Sequence, residues 1–552
     1  MVSKVAAAIL AALGLTAVST PVPHAVKARS VAGPHAAKTA RAKRLPVIFV
    51  SGHGWGHGVG LAQYGAYGYA LHGWTWDKIL AHYYPGTTIG PAPVSKVRVL
   101  LAAGATRAAI SSASPFTVTD GAGKVHKLAA GKQSIGLGLK LRLVPSKPVK
   151  ALTGPLLFAP GTTPLSLGSR AYRGSLRVKV AGSALQVVNV VGLESYLRGV
   201  VGSEMPDRWP AEALAAQAVA ARTFALAERS TSGDFDLYPD TRSQVYGGIA
   251  AESKSATGAV TETAGQVVLY DDEPALTYFS SSSGGRTANV QDVFPSSKPV
   301  PYLVSVADPY DTLSPYHNWG PLRYGASKLA RRLGVPGSIV DYRANVSPSG
   351  RVRTVTLTGT KGERTVRGSS VRAVLGLRST WFRLGLLNLA NPTGAVVYGA
   401  AVKLAGTARG VQKIYLDSRP YGGKWKRLGR VVAKSGALAP SVAPKVTTDY
   451  RLESGGFASS VVRVGVAPLV KLSAGTDGIS LTGQAKPLVS GAVVQVQRMG
   501  PSGWETVSST TVDARGTFSA QLDLSAGSYR ARIVAGHGFA IGFSNTLTVA
   551  NP

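Results

Sequence analysis

Apolar positions along the chain follow two different periods. KVRVLL (Lys96 to Leu101), SLRVKV (Ser175 to Val180) and LQVVNVV (Leu185 to Val191) are β-branched runs between glycine-rich turns, and this pattern predicts strands. EALAAQAVAARTFALAER (Glu212 to Arg229) instead repeats at helical spacing. Pro210 suits its first turn, and Leu214, Ala218, Ala221 and Ala225 form a small-residue face for close packing. A second helix is predicted from Trp76 to Tyr84, started by Thr75 and stopped by Pro85-Gly86. Residues 47–391 therefore read as one α+β domain of mixed strands and helices. Beyond them helical periodicity disappears. VKLAGTARGVQKIYLDSRPYGGKWKRL and ISLTGQAKPLVSGAVVQVQRMGPSGWETV share one plan: a strand, a turn, an alternating strand, and a Trp after a glycine-rich turn. Each half later carries a Tyr-Arg pair, Tyr450-Arg451 and Tyr529-Arg530. Two all-β immunoglobulin-like sandwich modules are expected, at 392–468 and 469–552.

The first residues change the picture. Lys4 precedes the apolar run VAAAILAALGLTAV, with small residues at Ser19 and Ala25. This reads as a secretory signal over residues 1–25, since the run falls short of the ~20 residues that span a bilayer. An uncleaved membrane anchor is the other reading. Residues 26–46 are basic and alanine-rich, the composition of a flexible leader or a solubilising tail. The chain has 61 Lys+Arg against 27 Asp+Glu, a formal charge of +34, and no cysteine. Disulfides are excluded, and polyanions become the natural class of partner. For an exported chain that polyanion is a cell envelope with its anionic wall polymers. No stretch matches a nucleic-acid-binding signature, so no nucleic acid partner is expected.

Chemistry concentrates in VVNVVGLESYLRGVVGSEMPDRWPAEALAAQAVAARTFAL (Val187 to Leu226). Glu204 lies between the apolar segment 197–201 and Met205-Pro206. A carboxyl among apolar groups resists ionisation and can donate a proton near neutrality, as a general acid for glycosidic cleavage must. Capping of the following helix, or pairing with Arg208 or Arg222, would explain it equally. No second carboxylate stands at a fixed spacing. SSSSGG (Ser280 to Gly285) reads as a polar turn or as hydroxyls and open backbone lining a groove; no paired base marks a serine nucleophile. SGHGWGHGVGLAQYGA (Ser51 to Ala66) contains neither a dinucleotide nor a P-loop fingerprint, and its histidines lack a third ligand nearby in sequence.

These stretches resemble the SpoIID/LytB family of bacterial cell-wall proteins. The resemblance runs through AYRGSLRV, LESYLRGVVGSEMP, ALAAQAVAARTFAL, SQVYGG, YFSSSSGGRT, PYLVSVADP and LGLRSTWF, which together cover most of residues 47–391. It implies a secreted, wall-associated lytic transglycosylase that cuts peptidoglycan glycan strands, with Glu204 as single acid/base. Alternatively it implies a non-catalytic glycan binder or amidase enhancer acting beside a wall amidase. Substrate-binding roles follow for His57, Gln63, Tyr64, Arg222, Gln244, Tyr246, Ser282, Ser283, Gly284 and Gly285. GHGVGLAQYGAYGYALHGW resembles a motif usually found at the C-terminal end of that domain, so here it stands permuted to the N-terminal side. His57, Gln63 and Tyr64 are expected to return to the wall of the Glu204 groove, with the helix after Gly60 packed on the helix that starts near Ala211. One departure concerns zinc: where relatives carry two cysteines, Tyr238 and Ser243 occupy the positions, and neither is a normal zinc ligand. No metal or other cofactor is expected.

Overall fold

The computed structural model describes residues 45–550 apart from 231, 295 and 476–478. The expected signal and almost all of the expected leader lie outside the described residues.

The expected strands form at Lys96–Ala105, Ser175–Ala181 and Ala184–Gly192. They join a six-stranded antiparallel sheet that ends in the hairpin Phe116–Thr119 and Val125–Leu128. The hairpin at Ser175–Gly192 serves two cores. Leu176, Val178, Leu185 and Val187 close one core with Ile110, Phe116 and Phe158, whereas Val191 reaches the helical core.

The helical core is built by α1 (Gln63–Leu71), α2 (Trp76–Tyr83), α3 (Leu193–Glu204), α4 (Ala211–Ala227) and α5 (Lys254–Glu262). Every residue of α4 from Ala213 to Leu226 is buried. Alanines on all sides explain this, because they let neighbouring helices approach from each direction. The N-terminus of α2 is satisfied differently from expectation. Thr75 turns its hydroxyl to Asp77, and the free Trp76 amide donates to Glu212 Oε2 of α4 at 2.7 Å. That bond ties α2 to α4. The helix after Gly60 is α1, and it packs on α4 as expected.

Strand Val47–His53 lies between Asn318–Gly325 and Phe382–Leu389, antiparallel to both. Its alternation feeds two cores. Ile48 and Val50, with Phe382, Leu384 and Leu386, face a small lobe formed by the helices Ala326–Leu333 and Gly368–Leu375 and the sheet of residues 339–367. Val47 and Phe49, with Leu387 and Leu389, face the opposite way and pack against Leu404, Ile414, Leu416, Leu452 and Val464. The same sheet continues through Gly406–Arg409 and Ala437–Leu438. Hydrogen bonding therefore crosses the expected 391/392 boundary, and the first β module shares a wall with the α+β part. Residues 469–549 form two antiparallel sheets closing on their own core, which includes Leu472, Leu481, Val494, Phe518 and Tyr529.

Candidate functional site

Glu204 is the last residue of α3. Pro206 biases Met205 to extended backbone (φ −129°, ψ 145°), which stops the helix there. A helix C-terminus carries partial negative charge, an unfavourable neighbour for a carboxylate. Both carboxylate oxygens are held: the Val245 amide donates to Oε1 at 3.0 Å, and Gln63 Nε2 donates to Oε2 at 3.3 Å. Burial pushes the Glu204 pKa above the usual carboxylate value, and the Val245 and Gln63 hydrogen bonds only partly oppose it. The side chain is half-buried, and Val245, whose amide it accepts from, is exposed. The acid thus keeps its proton to higher pH than a free carboxyl would, while retaining an opening to solvent.

Gln63 reaches Glu204 across 141 positions because two loops interlock. Leu61–Ala62 pairs in parallel with Phe279–Ser280, the Gly58 amide donates to Ser280 Oγ, and the Tyr64 amide donates to the Ser281 carbonyl. Gly54, Gly56, Gly58 and Gly60 all have positive φ, from 68° to 113°, which accounts for the alternating glycines. A Cβ on Gly60 would fall 2.1 Å from the Tyr278 carbonyl oxygen. From this junction α1 starts with Gln63 on the acid. Tyr64 and Tyr67 close on Trp209, at centroid distances of 4.9 Å edge-on and 4.7 Å stacked. Tyr67 was not among the residues expected here, and the spacing Tyr64-x-x-Tyr67 on one helix face was its only signal in the sequence; Trp209 was marked there by standing five positions after Glu204.

Several expected site residues are placed elsewhere. Arg222 is fully buried and binds Glu194 through Nε at 2.9 Å and Nη2 at 2.6 Å, and donates to the Gln266 and Val260 carbonyls. It braces α4 against α3 and cannot meet substrate. Gln244 and Tyr246 also point inward. Gln244 accepts from Tyr196 and donates to the Ala221 carbonyl, while Tyr246 donates to Asn189 Oδ1. Alternation turns only Val245 outward between them, and its backbone supplies the contact to the acid. The SSSSGG strap is likewise spent internally. Ser282 Oγ donates to Asp311 at 2.9 Å, Ser283 Oγ donates to Asp308 at 2.6 Å, and the Ser283 and Gly284 amides donate to Asp311. The Gly285 amide donates to Ser283 Oγ, and Gly284 lies against His53 and Gly54. Asp308 is pushed up to about 7 by burial, partly offset by the Ser283 hydrogen bond, with Asp311 nearby adding to the rise. The Asp308/Asp311 pair, missed in the sequence, anchors the strap whose backbone holds Tyr64.

His57 does not touch the acid through any described contact. Its Nδ1 accepts from the Val59 amide, and its ring lies 5.6 Å from Tyr278 and 5.8 Å from Phe294. Burial, with Arg372 and Arg351 adding to it, lowers its pKa to about 4, so the ring stays neutral and shapes its loop. His72 stacks on Tyr310 and bonds the Gly68 carbonyl, and His82 contacts Tyr69 and the Ala307 carbonyl. Around Tyr238 and Ser243 the donor set does not fit zinc. Tyr238 carries the Arg242 guanidinium 3.9 Å above its ring and packs edge-on against Phe235, and its amide donates to Ser243 Oγ. No group of three His, Cys, Asp or Glu side chains suited to a metal occurs among the described residues. The segment leading to Val245 is held by the chain itself: Arg98 binds both oxygens of Asp236, Leu100 donates to the Leu237 carbonyl, and Tyr246 donates to the Pro239 carbonyl.

Comparison with known proteins places this geometry in a lineage. The family profile described as Stage II sporulation protein matches residues 181–270, which include Glu204 and Val245. The stage II sporulation protein D of Bacillus subtilis (strain 168) is 33% identical over 245 residues, covering 41% of this chain and 69% of that protein. The protein of the same name from Bacillus amyloliquefaciens is 34% identical over 217 residues, covering 35% of this chain and 60% of that protein. The amidase enhancer of Bacillus subtilis (strain 168) is 41% identical over 116 residues, covering 21% of this chain and 15% of that protein. The chain belongs to the SpoIID family of stage II sporulation protein D and its relatives. No helix among the described residues is long and apolar enough to cross a membrane.

Proposed function

We propose that this chain is a secreted, wall-associated enzyme that cuts the glycan strands of peptidoglycan by lytic transglycosylation. The observation that carries the reading is Glu204, whose burial raises its pKa above the usual carboxylate value and whose two oxygens are gripped by donors that stabilise the carboxylate once the proton leaves. The acid protonates the bridging glycosidic oxygen as the bond from the anomeric carbon breaks and positive charge develops on the sugar. The sugar's own C6 hydroxyl oxygen then attacks that carbon, and the Glu204 carboxylate takes the hydroxyl proton. The products are a shortened strand with a free hydroxyl and an anhydro-ended sugar. No water is consumed, and Glu204 ends protonated, so one carboxyl serves the whole cycle.

In this reading Gln63 orients the acid, while Tyr64 and Trp209 wall the groove. The arrival of the HGVGLAQYGA segment, through Gln63, at an acid 141 positions away supports its reading as a permuted motif. Strand Val47–His53 enters between two strands from beyond residue 317, as a relocated terminus would. Tyr529, which donates to the Ser525 carbonyl four residues upstream, supports an immunoglobulin-like reading of the last module.

A second reading, a non-catalytic partner of a wall amidase, is favoured by the name of the amidase enhancer relative and by the inward turn of the strap hydroxyls. Purified full chain incubated with glycan strands separates the two. Release of anhydro-ended fragments is expected, and Glu204→Gln is expected to abolish it while leaving the melting temperature within about 2 °C. Fragment release by the variant at more than a few per cent of the parent rate would remove Glu204 from the mechanism.

A further inference from the structure

The first β module concentrates positive charge in one place and neutralises it in another. Between residues 392 and 468 there are 12 Lys+Arg and 3 acids. All three acids lie on one face of the sheet formed by Ile414–Pro420, Lys426–Val431 and Thr448–Ser454. Asp417 pairs with Arg427 and Arg451, Asp449 with Arg419 and Arg463, and Glu453 with Arg427. On the same face Trp425 takes the Arg419 and Arg451 guanidiniums over its ring. That face is a closed ladder of charge and aromatic contacts.

Three of the cations outside the ladder border a cavity of about 550 Å³, lined by residues 408–414, 430–433 and 436. Arg409, Lys413 and Arg430 lie in its wall, and no carboxylate does. Arg409 is fixed by a bidentate pair with Asp341, at 2.7 and 3.0 Å. Gly436 makes room for it, since a Cβ there would fall 2.6 Å from the guanidinium carbon. Lys413 and Arg430 are exposed and have no ion-pair partner among the described residues. Between the cations lie Val411, Val431 and Val432, the last 70% exposed, and the Gln412 side chain offers both a donor and an acceptor.

We propose that this cavity binds a segment of an anionic polyol or sugar chain bearing phosphate or carboxylate groups. Lys413 and Arg430 take the anions, the valines take the C–H faces of the polymer, and Gln412 takes a hydroxyl. Nucleic acid is the poorer fit, because the lining contains no aromatic ring on which a base could stack. The site belongs to the β module and works independently of Glu204. It holds the enzyme on its matrix rather than cutting it.

The test measures Kd for the full chain at near-physiological salt against three probes of matched charge: a glycerol phosphate oligomer, an oligouronate and a single-stranded DNA oligonucleotide. Lys413→Gln/Arg430→Gln is expected to weaken the better-bound of the first two about tenfold or more. Lys424→Gln/Lys426→Gln, outside the cavity on the same module, is expected to change it less than about threefold. Preference between the phosphate and carboxylate probes identifies the anion, and either preference supports the site. Equal losses in both double variants would reduce the effect to diffuse charge and overturn the proposal. So would absence of binding to either polymer, or DNA binding as tight and as dependent on Lys413 and Arg430. Melting curves certify that each variant is folded, and Glu204→Gln is expected to bind like the parent, which separates this site from the cleavage reaction.

Discussion

Glu204 stands between burial, which favours its proton, and two donors, which favour its loss. Gln63 is the donor that can be removed without touching the backbone. Gln63→Leu deletes a bond to the charged form, so the Glu204 pKa rises further and the protonated acid survives to higher pH. The alkaline limb of the kcat/KM profile for glycan cleavage is therefore expected to move to higher pH. A limb that stays in place or moves to lower pH would show that Gln63 does not tune the acid. The same residue measures how far the sequence could be read. That Gln63 returns to Glu204 was legible in the motif, whereas the part His57 plays on the groove wall was not. A histidine's role depends on what meets its two ring nitrogens, and here a backbone amide two residues away occupies Nδ1.

At the scale of elements, α3 presents the acid and depends on close approach to the segment Gly248–Ala251. A Cβ on Gly202 would fall 1.9 Å from the Ala251 carbonyl oxygen, and one on Gly199 would fall 2.8 Å from the Tyr246 ring. Gly202→Ala is expected to force the two elements apart at a cost of about 1–3 kcal/mol, seen as a lower melting temperature. Cleavage is expected to fall further than the stability loss explains, because Val245 precedes that segment and loses its 3.0 Å contact with Glu204. A variant with unaltered melting temperature and rate would contradict the close approach. Helix α3 was not read from the sequence, whose interest there lay in a single carboxyl. Helix α4 was, because its alanine periodicity runs for more than four turns.

At the scale of the whole molecule, the shared sheet makes the first β module part of the fold that carries the site. Val47, Phe49, Leu387 and Leu389 are at most 6% exposed, and all four face that module. Ending the chain at residue 391 would uncover them. At about 1.5–3 kcal/mol each, the loss is comparable to the ~5–15 kcal/mol that holds a domain folded. The fragment 47–391 is expected to aggregate or to melt without cooperativity, whereas 47–468 is expected to remain monomeric and cooperative. Size-exclusion chromatography and thermal melts of the two fragments check this. A soluble, cooperative 47–391 fragment would show that the shared wall is dispensable.

What the sequence by itself determined is local or periodic. Strands appear where β-branched runs alternate, α4 where alanines recur, and an all-β stretch where helical periodicity ends. Glu204 was marked by its apolar surroundings and by its family motif. Tertiary structure alone decided what those patterns pack against. Alternation in QVY meant that two of three side chains face one way, but only the fold set Gln244 and Tyr246 inward and left the Val245 amide on the acid. Arg222 and the strap serines carry polar groups suited to a groove. They became framework because Glu194, Asp308 and Asp311, 25 to 29 positions away, were brought beside them by the fold. Buried polar groups must find partners where they stand, and which partners stand there is a property of the assembled chain.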